Sequence, residues 1–497
     1  MKLTYGVKDK PKLPQTLMFA LQQLLAILAA TIAVPAIIGN GMSQSAALFG
    51  AGVGTIVYLF FTKFKSPVFL GSSFAFLGSM AAAFAGATTA SLGYLGLLIG
   101  ALFAGLVYVI IAVVVKFAGT KWIDKIMPAV VIGPTVAIIG LSLAGNAVGD
   151  AVSSAFDSAA GAYVMDLHGI LCLICALITL GTTIVCSVFG KKMMKMIPFI
   201  IGILAGYVVA SIFTAFSYIE GAEALRIIDF SKFAALSDAS AWYPDFAFLH
   251  AFSGDYGDAN IGAYIGTIAV AYIPVAFVVF AEHLADHKNI SSIIESDLLE
   301  DPGLTRTLLG DGVGSVAGAL FGGCPNTTYG ESVGCVAISG NASVVTILAT
   351  AIMAIVASFV APFVIFLSTI PSCVMGGVCV ALYGFIAVSG LKMIQKVDLG
   401  DNRNLFVVSV ILIAGVGGMS LGFGQVIVTE VASALILGIL TNVLVNVKWK
   451  KEEAVVAECE APVSEEAAIA EDCEPENEAP EAEPLEEAQP ETEPSEE

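Results

Sequence analysis

The chain has 497 residues, 57% of them hydrophobic and only 13% charged. A soluble domain carries about 25% charged residues, so the composition excludes a water-soluble enzyme or nucleic-acid binder and places most of the chain in a lipid bilayer. The net charge of −20 belongs almost entirely to one end, because residues 452–497 hold 19 acids and no Lys or Arg.

Residues 1–16 are basic, with Lys2, Lys8, Lys10 and Lys12, and are expected to stay in the cytoplasm. Fourteen apolar stretches follow between Leu17 and Val447, each about 17–25 residues long and able to cross a bilayer. The basic start leads straight into further spans, so no cleavable signal pattern is read. Span 3 opens Pro67-Val68-Phe69-Leu70-Gly71-Ser72-Ser73-Phe74-Ala75-Phe76. It is proline-led, rich in small and hydroxyl residues, and too short for an ordinary crossing helix. Phe74, flanked by Ser73, reads as extended, and free backbone is expected over residues 72–76. Span 5, residues 126–145, carries Gly133-x6-Gly140. Cys172 and Cys175 form a C-x-x-C inside an apolar run, where each reads as a small packing residue and not as a metal ligand. Residues 17–216 then make a first group of seven spans, and 217–259 a long outside loop.

The second group of seven spans occupies residues 260–447. An apolar run over 261–281 ends on Glu282, and Asp286 lies one helical turn further on the same face. The string Gly322-Gly323-Cys324-Pro325-Asn326-Thr327-Thr328-Tyr329-Gly330 breaks span 10 and delivers Glu331. Asn326, Thr327 and Thr328 read as turn and capping residues, and Asp311 and Glu430 as span-end residues. Span 12, residues 370–390, repeats the glycine spacing as Gly377-x6-Gly384. Spans 5 and 12 are seven apart, and a repeat of an odd number of spans must be inverted in the membrane. With alternating spans, 20 of the 22 basic residues fall on the cytoplasmic side. The exceptions, Arg226 and Lys232, lie in the long outside loop. Both termini are therefore expected inside, and the proline-rich acidic tail, 448–497, cannot form a core.

Carboxylates in lipid cost several kcal/mol, so Glu282 and Glu331 mark a site. A half-helix starting near Glu331 offers unpaired N–H groups and a positive dipole end. The carboxylates accept N–H bonds, and the Phe74 ring offers a flat face. A planar heterocycle with alternating C=O and N–H groups satisfies all three, and a uracil-like base fits. An inorganic anion does not suit two neighbouring acids. A desolvated Glu also suits proton coupling, and the acids Glu282 and Asp286 disfavour simultaneous ionisation. An intramembrane enzyme would need metal ligands or a nucleophile–base pair, and neither is found; a channel would equilibrate its solute without accumulating it.

Leu21-Gln22-Gln23, residues 71–76 of span 3, Ala281-Glu282-His283, Asp301-Pro302-Gly303-Leu304 and the segment from Pro325 to Glu331 resemble the nucleobase–ascorbate transporter family, most closely its bacterial uracil permease branch. The resemblance covers nearly all of residues 5–447. It implies an all-α polytopic membrane protein of fourteen transmembrane segments in two inverted seven-span repeats. Spans 3 and 10 would be broken by short extended segments. Spans 1–4 and 8–11 would form a core domain and the rest a gate domain. It also implies a homodimer in the cell membrane that imports uracil with protons and holds no cofactor; Na⁺ as driving ion and xanthine or urate as substrate are the alternatives. Carried onto this chain, Glu282 and Glu331 would bind the base, the backbone at Phe74 and Gly330 would meet its carbonyls, and the Phe74 ring would lie beside it. Three departures stand out. Asp286 and Gln23 replace the usual histidines, and Ser332 and Ser339 stand where Asn and Thr are favoured.

Overall fold

In lipid, every backbone N–H and C=O must find its partner within the protein, so the apolar runs become helices. The computed structural model describes residues 3–447 except 120–121, 123–126, 158–159, 192–193, 196, 239–241, 259 and 424–425. The acidic tail expected to lack a core lies outside the described residues. The first half holds α1 (Leu13–Ile38), α2 (Gln44–Phe61), α3 (Leu77–Ala85), α4 (Ala90–Ala118), α5 (Ala129–Ser142), α6 (Ala144–Val152), α7 (Leu167–Phe189) and α8 (Pro198–Glu220). The second half holds α9 (Ala247–Ala251), α10 (Ile261–Ile294), α11 (Leu304–Gly322), α12 (Gly330–Ser339), α13 (Val344–Ala357), α14 (Ala361–Ser368), α15 (Ser372–Ile394), α16 (Asn402–Val416) and α17 (Glu430–Asn446).

Among the described residues, eight helices are long and apolar enough to cross a membrane when α5 and α6 count as one. The pair α13–α14, bent by 82°, makes a ninth. The helices over 74–85, α16 and α17 are apolar but shorter. The protein is thus a multi-span helical membrane protein.

Small residues set the closest helix approaches. A Cβ on Gly54 of α2 would lie 2.7 Å from the Gly314 carbonyl of α11, and one on Gly314 would lie 2.7 Å from the Gly54 carbonyl. Only glycine lets these backbones touch. Gly133 of α5 packs on Ile394 and Gly390 of α15, and Gly140 on Tyr383 and Ala387. The glycines at the matching sequence spacing behave differently: Gly377 meets Ala176 of α7, and Gly384 has open space beside it.

Six short strands pair two by two: β1 (Leu70–Ser72) with β4 (Asn326–Thr328), β2 (Phe156–Asp157) with β3 (Ala162–Tyr163), and β5 (Leu421–Phe423) with β6 (Val426–Val428). The first pair is antiparallel, with Leu70 opposite Thr328, Gly71 opposite Thr327 and Ser72 opposite Asn326. Here the expectation of extended backbone through residue 76 needs correction. The strand ends at Ser72, and Phe74–Phe76 form a turn of 3₁₀ helix that runs into α3. Ser73 makes the last cross-link, its N–H donating to the Pro325 carbonyl at 2.9 Å. No strand partner remains beyond it, so the chain satisfies its own carbonyls by coiling.

Candidate functional site

Two interrupted segments meet where β1 crosses β4. The Tyr329 N–H donates to the Phe69 carbonyl (3.2 Å), and its hydroxyl donates to the Ser72 carbonyl (2.8 Å). Asn326 does not cap a turn; its Nδ2 donates to the Gly50 carbonyl of α2 at 3.1 Å. The Thr55 hydroxyl accepts from the Leu70 N–H at 2.9 Å. From the other side, Gln23 of α1 donates through Nε2 to Ser332 Oγ (2.6 Å), which in turn accepts from the Phe69 N–H (3.1 Å). Polar groups from α1 and α2 thus hold irregular backbone inside an apolar protein, where an unpaired amide costs several kcal/mol.

Helix α12 starts at this crossing. No side chain caps it, and Glu331 is the acid of its first turn. Its positive end and free N–H groups therefore face whatever lies in front of Gly330. In front lies a cavity of about 370 Å³, lined by Phe74, Glu282, Asp286, Thr327, Tyr329, Gly330 and Glu331 together with Ile139, Leu382 and Phe385. All the sequence-predicted site residues, Phe74, Glu282, Asp286, Gly330 and Glu331, therefore converge on one space. Among the described residues no other residue donates a hydrogen bond to the carboxylate of Glu282 or Glu331, and Glu331 meets only its own backbone N–H, so both keep acceptor positions open. Asp286 is engaged: its Oδ2 accepts from the Thr328 hydroxyl at 2.8 Å. Its Oδ1 lies 3.8 Å from where a Cβ on Gly330 would be. Phe74 meets Tyr383 of α15 edge-on, with ring centroids 5.6 Å apart. The only basic side chain among the described lining residues is Lys195, which is exposed.

Glu282 is not the end of its helix; α10 continues one-third of its length beyond it to Ile294. His283 and His287, which follow Glu282, are not among the residues that line the cavity. His283 is fully buried and its Nδ1 is bonded to Asp311 Oδ2 at 2.6 Å, with Nε2 3.1 Å from Thr307 Oγ1. His287 Nδ1 donates to the His283 carbonyl (2.8 Å), and its Nε2 lies 2.7 Å from the Tyr58 hydroxyl. Asp311 was expected at a span end but lies inside α11 at 1% exposure, where His283 Nδ1 is hydrogen-bonded to one of its oxygens. Sequence reasoning also passed over Thr327 and Thr328 as turn residues. Thr327 lines the cavity and is buried, and Thr328 holds Asp286. Their position in a strand directly before Glu331 was the available signal.

The profile of the Permease family matches residues 14–422. The chain is 38% identical to the uracil permease of Bacillus caldolyticus over 449 residues, 89% of this chain and 95% of that one. It is 34% identical to the uracil permease of Escherichia coli (strain K12), over 92% of this chain and 97% of that protein. The chain belongs to the nucleobase–ascorbate transporter family. Family membership makes it a membrane transport protein and not an enzyme. Among solved structures, the transmembrane domain of a cyanobacterial bicarbonate transporter, BicA, matches with a TM-score of 0.55 at 17% identity, covering 88% of this chain and 98% of that one. The murine Slc26a9 anion transporter in its inward-facing state matches with a TM-score of 0.58 at 14% identity, covering 88% and 69%. At such identities the likeness shows a shared fold, and the family's cargo has to be argued from the site.

Proposed function

We propose that this permease imports uracil by proton symport, with alternating access between a core domain and a gate domain. The observation that carries this reading is the pair of carboxylates with open acceptor positions, Glu282 and Glu331, sharing one cavity with the bare start of α12 and the Phe74 ring. Carboxylates accept the ring N–H groups, backbone N–H groups at Gly330 and near Phe74 donate to the ring carbonyls, and the aromatic ring covers one face. Transport by uracil permeases with up to 38% identity over most of the chain supports the same cargo. An anion, the cargo named for the two structural relatives, would meet acids where it needs positive charge. Asp286 and Thr328 sit beside Glu282 as a hydrogen-bonded pair, and a proton taken up by this carboxylate group would travel with the base.

The same reading includes fourteen transmembrane segments in two inverted sets of seven, residues 17–216 and 260–447, joined by an extracellular loop over 217–259. Spans 1–4 and 8–11 form the core; spans 5–7 and 12–14 form the gate. Both termini, 1–16 and 448–497, lie in the cytoplasm, and the working unit is a homodimer. That the exposed Lys195 is among the residues lining the cavity supports reading this conformation as inward-facing. Radiolabelled uracil uptake in cells tests the assignment. Glu282→Gln and Glu331→Gln at normal membrane abundance should each abolish uptake, and a protonophore should abolish accumulation while Na⁺ removal leaves it intact. Unaltered uptake by both variants ends the site assignment, and stronger competition by xanthine or urate than by unlabelled uracil ends the substrate assignment.

A further inference from the structure

Two more cavities lie along the seam that holds the candidate site. One, of about 540 Å³, is lined by Asn40, Gly78, Ser142, Leu143, Asn146 and Glu430 together with apolar residues of α1, α3 and the preceding turns. The other is a void of about 10 Å³ lying between the first cavity and the site. The void shares Phe74, Ala75 and Ile139 with the site cavity, and Gly78, Ser142, Leu143 and Glu430 with the large one. A space of that size admits at most a single water molecule. The three spaces therefore adjoin through shared lining, and the narrow middle one, bounded by Phe74, Ile139 and Leu143 among others, is too small to pass a ring.

We propose that the 540 Å³ cavity is an outer binding subsite for the nucleobase, where Glu430, Asn40 and Asn146 hold the ring before the narrow middle space opens. This rests on the transport reading above. Glu430 opens α17 and is half-exposed; one carboxylate oxygen accepts from the Ser420 hydroxyl at 3.0 Å. A carboxylate has about four acceptor positions, so most of its capacity faces the cavity. Asn146 makes no hydrogen bond among the described residues. Asn40 spends one amide hydrogen on the Ile38 carbonyl at 3.0 Å, and its Oδ1 stays open. Together they offer acceptors for ring N–H groups and amide donors for ring carbonyls. No Lys or Arg stands among the described lining residues, so the pocket suits a neutral imide-bearing ring and opposes an anion. The outer subsite is a weaker copy of the inner one: one carboxylate in place of two, and a polar rim that stays wet.

The test is initial-rate uptake of radiolabelled uracil by cells carrying the full-length protein. Glu430→Gln removes a charged acceptor, and such hydrogen bonds are worth about a tenfold change or more in affinity. The external KM should rise about tenfold with the maximal rate kept, and uracil binding by the purified protein, dominated by Glu282 and Glu331, should stay at the wild-type value. Glu430→Asp should restore most of the lost apparent affinity, and Asn146→Ala should raise KM on its own. Wild-type KM in both Glu430→Gln and Asn146→Ala makes the cavity a solvent-filled passage and overturns the proposal. Failure of the inner-site reading shows separately, as undiminished uptake in Glu331→Gln.

Discussion

The partition between the inner and outer cavities can be locked by a single engineered bond. A Cβ built on Gly78 of α3 lies 3.9 Å from the Thr429 Cβ and 3.7 Å from its Cγ2, and no other residue comes within 4 Å. Disulfides need Cβ atoms about 3.5–4.5 Å apart, so Gly78→Cys with Thr429→Cys meets the distance without moving the backbone. The substitutions are mild. Gly78 gains a side chain in free space, and Thr429 gives up an N-cap bond to the Ala432 N–H that is already long at 3.4 Å, at a cost of about 1 kcal/mol. In membranes treated with a copper–phenanthroline oxidant, the fraction of uptake lost should equal the fraction of protein cross-linked, and a reductant should restore it. Each single-cysteine variant should keep its uptake under the oxidant. Uracil binding by the cross-linked, purified protein should persist, because neither Gly78 nor Thr429 lines the inner cavity. A fully cross-linked protein that still accumulates uracil would refute movement of α3 against α17 as part of the cycle.

Three further outcomes are expected. A methyl group at Gly71 would overlap the Tyr329 ring, which its hydroxyl bond to Ser72 holds in place; Gly71→Ala should lose about 1–3 kcal/mol of stability together with uptake, and an unchanged melting temperature would contradict the crossing geometry. His283→Leu leaves the Asp311 carboxyl without its hydrogen-bond partner, and a buried polar group left unsatisfied costs about 1–3 kcal/mol; denaturation of purified protein should show a large part regained in His283→Leu/Asp311→Leu, and strict additivity of the two changes would deny the pair. Lys65 Nζ bonds Asp301 Oδ2 at 2.7 Å between the loops before span 3 and before α11. That hydrogen bond, followed by the charges of Lys65, Lys8 and Lys63, holds the Asp301 carboxyl below its ordinary range. A depressed carboxyl stabilises above its unfolded pKa and loses that effect as pH falls through the folded value, so the thermal deficit of Lys65→Met should be present at neutral pH and close in acid.

The membrane character, the interruption before Glu331 and the convergence of Phe74, Glu282, Asp286 and Glu331 were legible from composition, hydropathy and turn chemistry. Those signals are local: an acid in an apolar run and a proline-led break can be seen in a few residues. What stayed hidden depends on partners distant in the chain. Asp311 has the sequence context of a span end, and only His283, on another helix, explains why it can lie in the interior. The limit of β1 at Ser72 is likewise set by where β4 begins, at Asn326. Gly377 and Gly384 show the converse, because equal spacing did not bring equal neighbours.

The hydroxyl of Tyr329 reaches a carbonyl 257 residues earlier in the chain, and β1 has no pairing partner apart from β4. During biosynthesis, therefore, the first half leaves the ribosome with the Phe69 and Ser73 amides in oil and without the Ser332 and Pro325 oxygens that receive them. Until the second half is threaded into the membrane, that stretch must stay wet, lie at the surface or be shielded by the insertion machinery. A ribosome paused between the halves would hold a protein with no place for its cargo, and maturation of the pocket would coincide with arrival of the segment around Asn326.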